Sequence, residues 1–166
     1  MKNLSYESWI RQFVENLSEY FDLAGWTIKI DFSEDEDDGK KGTYADNCIN
    51  SQYLHSLITF YRQCRLDYES AELDNLITAV VHELVHIFLD PFQDYMHPHL
   101  SITTTPLFMN TLEQQTQKLT MVFLKTLPPN IIPPRPNGKH DSTSSNHRKK
   151  PADDKTGSAD VRGKHV

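Results

Sequence analysis

The chain has 166 residues, 37% of them hydrophobic, and a formal net charge of −6. That length suits one domain with a sizeable core, and no apolar run approaches the roughly 20 residues of a membrane span. Met1-Lys2-Asn3 leads into polar sequence without a signal-peptide core, so a cytoplasmic protein with no membrane partner is expected.

Trp9, Ile10, Phe13, Val14, Leu17, Tyr20 and Phe21 repeat at helical spacing behind a cap at Ser5, which predicts a first helix over residues 5–22. Trp26 to Phe32 alternates apolar and polar residues in period two, the pattern of a strand with one wet face. Five consecutive acids follow, Glu34 to Asp38, ahead of Gly39. Their spacing lacks the ordered ligand positions of an EF-hand, so a solvated loop is expected. Tyr44 to Ile49 and Ser56 to Tyr61 complete the strands, the latter setting Ile58 and Phe60 against Leu57, Thr59 and Tyr61. The expected fold class is α+β, with a small, largely antiparallel sheet. Cys48 and Cys64 read as free thiols.

The next helix carries the stretch His82-Glu83-Leu84-Val85-His86. Side chains at i and i+4 share one face of a helix, about 6 Å apart along its axis, so both imidazoles can reach one metal ion. Glu83 lies about 100° round from His82, too far to share the ion but placed to touch a water beside it, as a general base must. Leu73, Leu76, Ile77, Val80, Leu84, Ile87 and Phe88 form an apolar stripe, with Asn75, Ala79, His82, His86 and Asp90 on the other side. The start is placed near Glu69 or Ser70, and Pro91 predicts an end near Leu89 or Asp90.

Beyond a proline-bearing loop, Thr105-Pro106 reads as a cap followed by proline in the first turn. It opens a helix to about Leu127, with Leu112, Leu119, Phe123 and Leu127 as its buried stripe. A catalytic zinc site needs three protein ligands and one open position. Glu113, on the flank of that stripe, is the first choice for the third ligand. Its competing role is the third position of a capping box, should the helix begin at Asn110. His97 and His99 are the alternative ligands, while Asp90 lies about 12 Å along the axis from His82 and is hard to include.

This order of elements, with Val81-His82-Glu83-Leu84-Val85-His86 followed by Glu113 and Gln114 to Leu119, resembles the compact HExxH metallopeptidases that carry a downstream glutamate ligand. These are the minimal gluzincin-like proteins common in phages and prophages. The resemblance covers roughly residues 5–127 and implies a zincin-like domain of an N-terminal helix, an HExxH helix and a C-terminal glutamate helix. It implies His82, His86 and Glu113 as Zn2+ ligands, Glu83 as catalytic base and a protein or peptide as substrate, held along an exposed strand edge such as Ser56 to Tyr61. ImmA/IrrE-type peptidases and SprT-like proteases are similar more distantly, but the four-cysteine ribbon or helix-turn-helix that often accompanies them is missing from this sequence. Metzincins are set aside, because Leu89 and Phe92 stand where that group places a glycine and a third ligand.

From Pro128 the composition changes to Pro, Gly, Ser and basic residues, and residues 128–166 are expected to form a disordered tail. Residues 1–127 carry 9 Lys and Arg against 19 Asp and Glu, and residues 128–166 carry 8 against 4. An acidic body disfavours nucleic acid, whereas the tail, with Arg148-Lys149-Lys150, offers phosphates or an acidic partner a contact. The rival to an enzyme is a non-catalytic binding module of phage type, zinc-stabilised or metal-free, whose histidine helix serves architecture alone.

Overall fold

Four helices and a small sheet make up the computed structural model, which describes residues 4–34, 43–96, 99 and 104–134. The fold class is α+β. Helix α1 (Tyr6–Tyr20) starts where expected, with Ser5 Oγ accepting the Ser8 N–H at 3.3 Å. Its stripe of Trp9, Ile10, Phe13, Val14 and Leu17 is buried, and burial of such side chains is what stabilises a helix of this length.

Strands β1 (Thr27–Phe32), β2 (Ala45–Asn50) and β3 (His55–Phe60) lie in the order β1-β3-β2. β3 runs parallel to β1 and antiparallel to β2. The sheet is therefore mixed, which corrects the expectation of a largely antiparallel one. A short 3-10 turn, Ser51–Tyr53, followed by Leu54 at φ 50°, closes β2 and β3 into a hairpin. The connection between Phe32 and Ala45 is long enough to step across two strand spacings of about 4.8 Å, and β3 then returns into the gap in the direction of β1. Ser56, Ile58 and Phe60 point into the core while Leu57 is exposed. Both edges of β3 are paired, so it offers no edge to an extended ligand; among the described residues the unpaired strand edge on the α3 side belongs to β2.

Between the sheet and the histidine helix lies α2 (Arg62–Ser70), which the apolar pattern alone does not predict. Its buried residues are Cys64, Asp67 and Tyr68. The Asp67 carboxylate accepts from Tyr44 Oη at 2.9 Å and from Gln63 Nε2 at 2.6 Å. The helix ends at Ala71, which adopts φ 62°, so the expected start at Glu69 or Ser70 falls inside α2. Helix α3 begins at Leu73 and packs against α1, α2, β2 and the last helix.

α3 (Leu73–Met96) runs through Pro91, a correction to the predicted end. Proline removes one backbone hydrogen bond and crowds the preceding turn, but the final turn is held from outside. Phe92 meets Phe108 at 6.3 Å between ring centroids, and Gln93 Nε2 donates to Met109 Sδ at 3.9 Å. α4 (Thr105–Thr126) carries proline in its first turn, and its buried residues are Leu112, Thr116 and Thr120. Leu119, Phe123 and Leu127 are partly buried against the core.

The expected domain boundary after Leu127 is also corrected, because the chain continues as a strap over α1. Trp9 Nε1 donates to Pro133 O at 3.3 Å and Pro134 O at 3.1 Å, and Asn16 Nδ2 donates to Ile131 O at 2.7 Å. Ile131 and Ile132 pack on the core, apolar residues that the prolines around them mask as tail. The expected disorder beyond Pro134, and most of the acidic loop, lie outside the described residues.

Candidate metal centre

α3 and α4 pack along each other, and this brings together residues that stand far apart in the sequence. His82 Nε2 and His86 Nε2 are 3.0 Å apart, the product of one helical turn between them. From α4, Glu113 Oε1 lies 3.3 Å from His82 Nε2 and Glu113 Oε2 lies 3.3 Å from His86 Nε2. Among the described residues these three side chains form the group able to hold a metal ion.

The dimensions test the fit. Four ligands at the 2.0 to 2.1 Å typical of zinc with nitrogen or oxygen donors, set tetrahedrally, are about 3.3 Å from one another. The nitrogen pair at 3.0 Å, with a different Glu113 oxygen 3.3 Å from each nitrogen, is close to that spacing and lets one ion reach both imidazoles and the carboxylate. Two imidazoles and one carboxylate also suit a borderline ion better than calcium or magnesium, which prefer oxygen alone. The imidazoles are largely covered, but half of the Glu113 side chain is exposed, 51%, so the group opens toward solvent on the α4 side.

Electrostatics favour the same use. Burial holds both imidazoles below the ordinary histidine range, with His82 adding to the effect on His86, while the Glu113 carboxylate pulls the other way. Neutral imidazoles present lone pairs, the form that binds metal. Glu83 is only 7% exposed. Its carboxyl is pushed up to about 8, first by desolvation and then by the charges of Asp46 and Glu113. A cation among the three donors would oppose the effect of those charges.

α4 begins at Thr105, so Glu113 stands well inside the helix and the capping-box role does not apply. His99 rests against Tyr95, with ring centroids 5.7 Å apart, and is not part of the metal-binding group; His97 lies outside the described residues. Asp90 is buried at 7% and Phe88 is 45% exposed, the reverse of the sides the apolar stripe assigns them. Aromatic contacts explain Phe88, which meets Phe21 and Phe123 at the edge of the core. Asp90 turns toward the β2–β3 connection, where the nearby Ser51 side chain favours its charged form.

Three supporting residues carry no sequence signal. Asn47 on β2 donates from Nδ2 to the Glu83 carbonyl at 3.0 Å, and Ser56 Oγ donates to Asn47 Oδ1 at 2.6 Å. This pair ties the turn that bears Glu83 to the sheet. Thr120 Oγ1 lies 3.5 Å from His82 Nδ1. No protein-family model matches the chain, and no curated protein or solved structure matches it.

Proposed function

We propose that the protein is a zinc-dependent metallopeptidase in which His82, His86 and Glu113 hold the ion and Glu83 is the general base. The observation that carries this reading is the cluster of two imidazole nitrogens 3.0 Å apart, each 3.3 Å from an oxygen of the Glu113 carboxylate, with a buried carboxyl next in sequence to the first of them. When bound, zinc supplies Lewis acidity, activating water and polarising a carbonyl. Glu83 takes the proton of the attacking water and passes it to the leaving amine. Its buried setting holds its proton affinity near neutrality, which suits a group that must both accept and release a proton. Glu113 and the two imidazoles would hold the ion, and the half-exposed Glu113 side chain leaves the group open to solvent and so to a peptide substrate. The open edge of β2 beside α3 can hold such a peptide extended through main-chain hydrogen bonds.

The test is cleavage of a mixed protein substrate. The expected result is proteolysis that a chelator abolishes and that Glu83→Gln abolishes while zinc is retained at one equivalent. A Glu83→Gln variant as active as the wild type would remove Glu83 from the mechanism. Zinc held at one equivalent without any cleavage would favour the rival reading, a zinc-stabilised binding module.

A further inference from the structure

On α4, seven residues beyond Glu113, Thr120 is 1% exposed although its hydroxyl is polar. Its hydrogen is already committed, since Oγ1 donates to the Thr116 carbonyl at 2.9 Å within the same helix. The lone pairs of that oxygen face His82, whose Nδ1 is 3.5 Å away. A hydroxyl that has spent its only proton can meet Nδ1 only as an acceptor, which requires the proton of His82 to sit on Nδ1.

The other side of the ring leaves the choice open, since the Glu113 carboxylate lies 3.3 Å from each Nε2 and can accept from either. His82 Nε2 and His86 Nε2 are 3.0 Å apart, so they cannot both carry a proton on the line between them. One ring must present a bare nitrogen to the other. We propose that Thr120 is a positioning residue that decides which: by accepting from His82 Nδ1–H it leaves His82 Nε2 bare and aimed at the space shared with His86 and Glu113. This inference rests on the metal-centre reading for its purpose, though the 3.5 Å contact is present without an ion. A partner on the far nitrogen of a ligating imidazole fixes tautomer and ring orientation, and losing one typically costs about 10- to 100-fold in metal affinity.

Two variants separate this role from packing. Thr120→Val keeps the shape of the side chain and removes the acceptor; Thr120→Ser keeps the acceptor and removes a methyl group. Long-range proton–nitrogen correlation on the metal-free full chain reads the tautomer of His82, and competition with a chromogenic chelator reads the zinc dissociation constant. The expected result is Nδ1–H in the wild type and Thr120→Ser, a shift toward Nε2–H in Thr120→Val, and zinc affinity lowered about 10- to 100-fold in Thr120→Val alone. An Nδ1–H tautomer and an affinity both unchanged in Thr120→Val would overturn the inference and leave the metal centre standing. A wild-type chain that takes up no zinc would overturn the metal centre instead, while the tautomer still decides the hydrogen bond.

Discussion

At the scale of single residues, the group able to hold a metal reduces to a local rule and one distant addition. His82 and His86 are legible in the sequence because their convergence needs only a helix, and the apolar stripe around them supplies one. Glu113 is legible as a choice among three, since its helix is predicted but the packing of α3 on α4 is not. Asn47, Ser56 and Thr120 are invisible in the sequence, because a polar contact across elements leaves no periodicity behind. Replacing Glu113 by Ala should weaken zinc binding by more than about 100-fold, beyond the loss of an outer partner; unchanged affinity would move the third ligand to His97 or His99. Asp90 makes a separate prediction. Among the described residues its buried Oδ2 has no hydrogen-bond partner, and desolvation, then Asp94, raise its proton affinity against the opposing effect of Ser51. The folded chain thus keeps this proton at a pH where the unfolded chain has released it. Its stabilising effect is complete below the ordinary carboxyl value of 3.8 and is lost as pH rises through the raised value. Asp90→Asn should therefore raise stability at pH 7 by about 1 kcal/mol, with the gain vanishing toward pH 4, as measured by thermal unfolding at the two pH values. A lower midpoint at pH 7 would mean that the carboxylate is well paired.

Whole elements follow the sequence where their own residues decide the matter and depart from it where neighbours do. α1 and the three strands appear within a residue or two of their predicted bounds, since capping and alternation are local. α2 has too few apolar positions to be seen, and its helix depends on Asp67 gathering donors from Tyr44 and Gln63. The last turn of α3 survives Pro91 because α4 grips Phe92 and Gln93. Strand order is the hardest feature to read, because a long connection permits more than one neighbour and β3 enters between its predecessors. The joint between α2 and α3 yields a test of its own. Ala71 sits at φ 62°, a left-handed conformation that costs a side chain about 1 to 2 kcal/mol and glycine almost nothing. Ala71→Gly should raise the urea midpoint by an amount equivalent to about 1 kcal/mol, less whatever the freer unfolded chain takes back. A loss of stability would show that the left-handed turn is not where α2 ends.

For the molecule as a whole, α3 is the element against which the rest is arranged. Its apolar side meets α1, α2 and the sheet, its histidine side meets α4, and the strap through Pro134 fastens the far side of α1. The site is thus a joint between the core helix and the one helix that follows it, and anything that separates α3 from α4 takes Glu113 away from the imidazoles. The strap is not readable in the sequence, because Ile131 and Ile132 are embedded among prolines that look like tail. The most direct test of the account is anomalous scattering at the zinc edge from crystals grown with zinc. It predicts one strong peak about 2.0 to 2.1 Å from His82 Nε2, His86 Nε2 and a Glu113 carboxylate oxygen, with the fourth position held by solvent. A peak ligated elsewhere, or one whose fourth position is filled by another protein side chain, would contradict it.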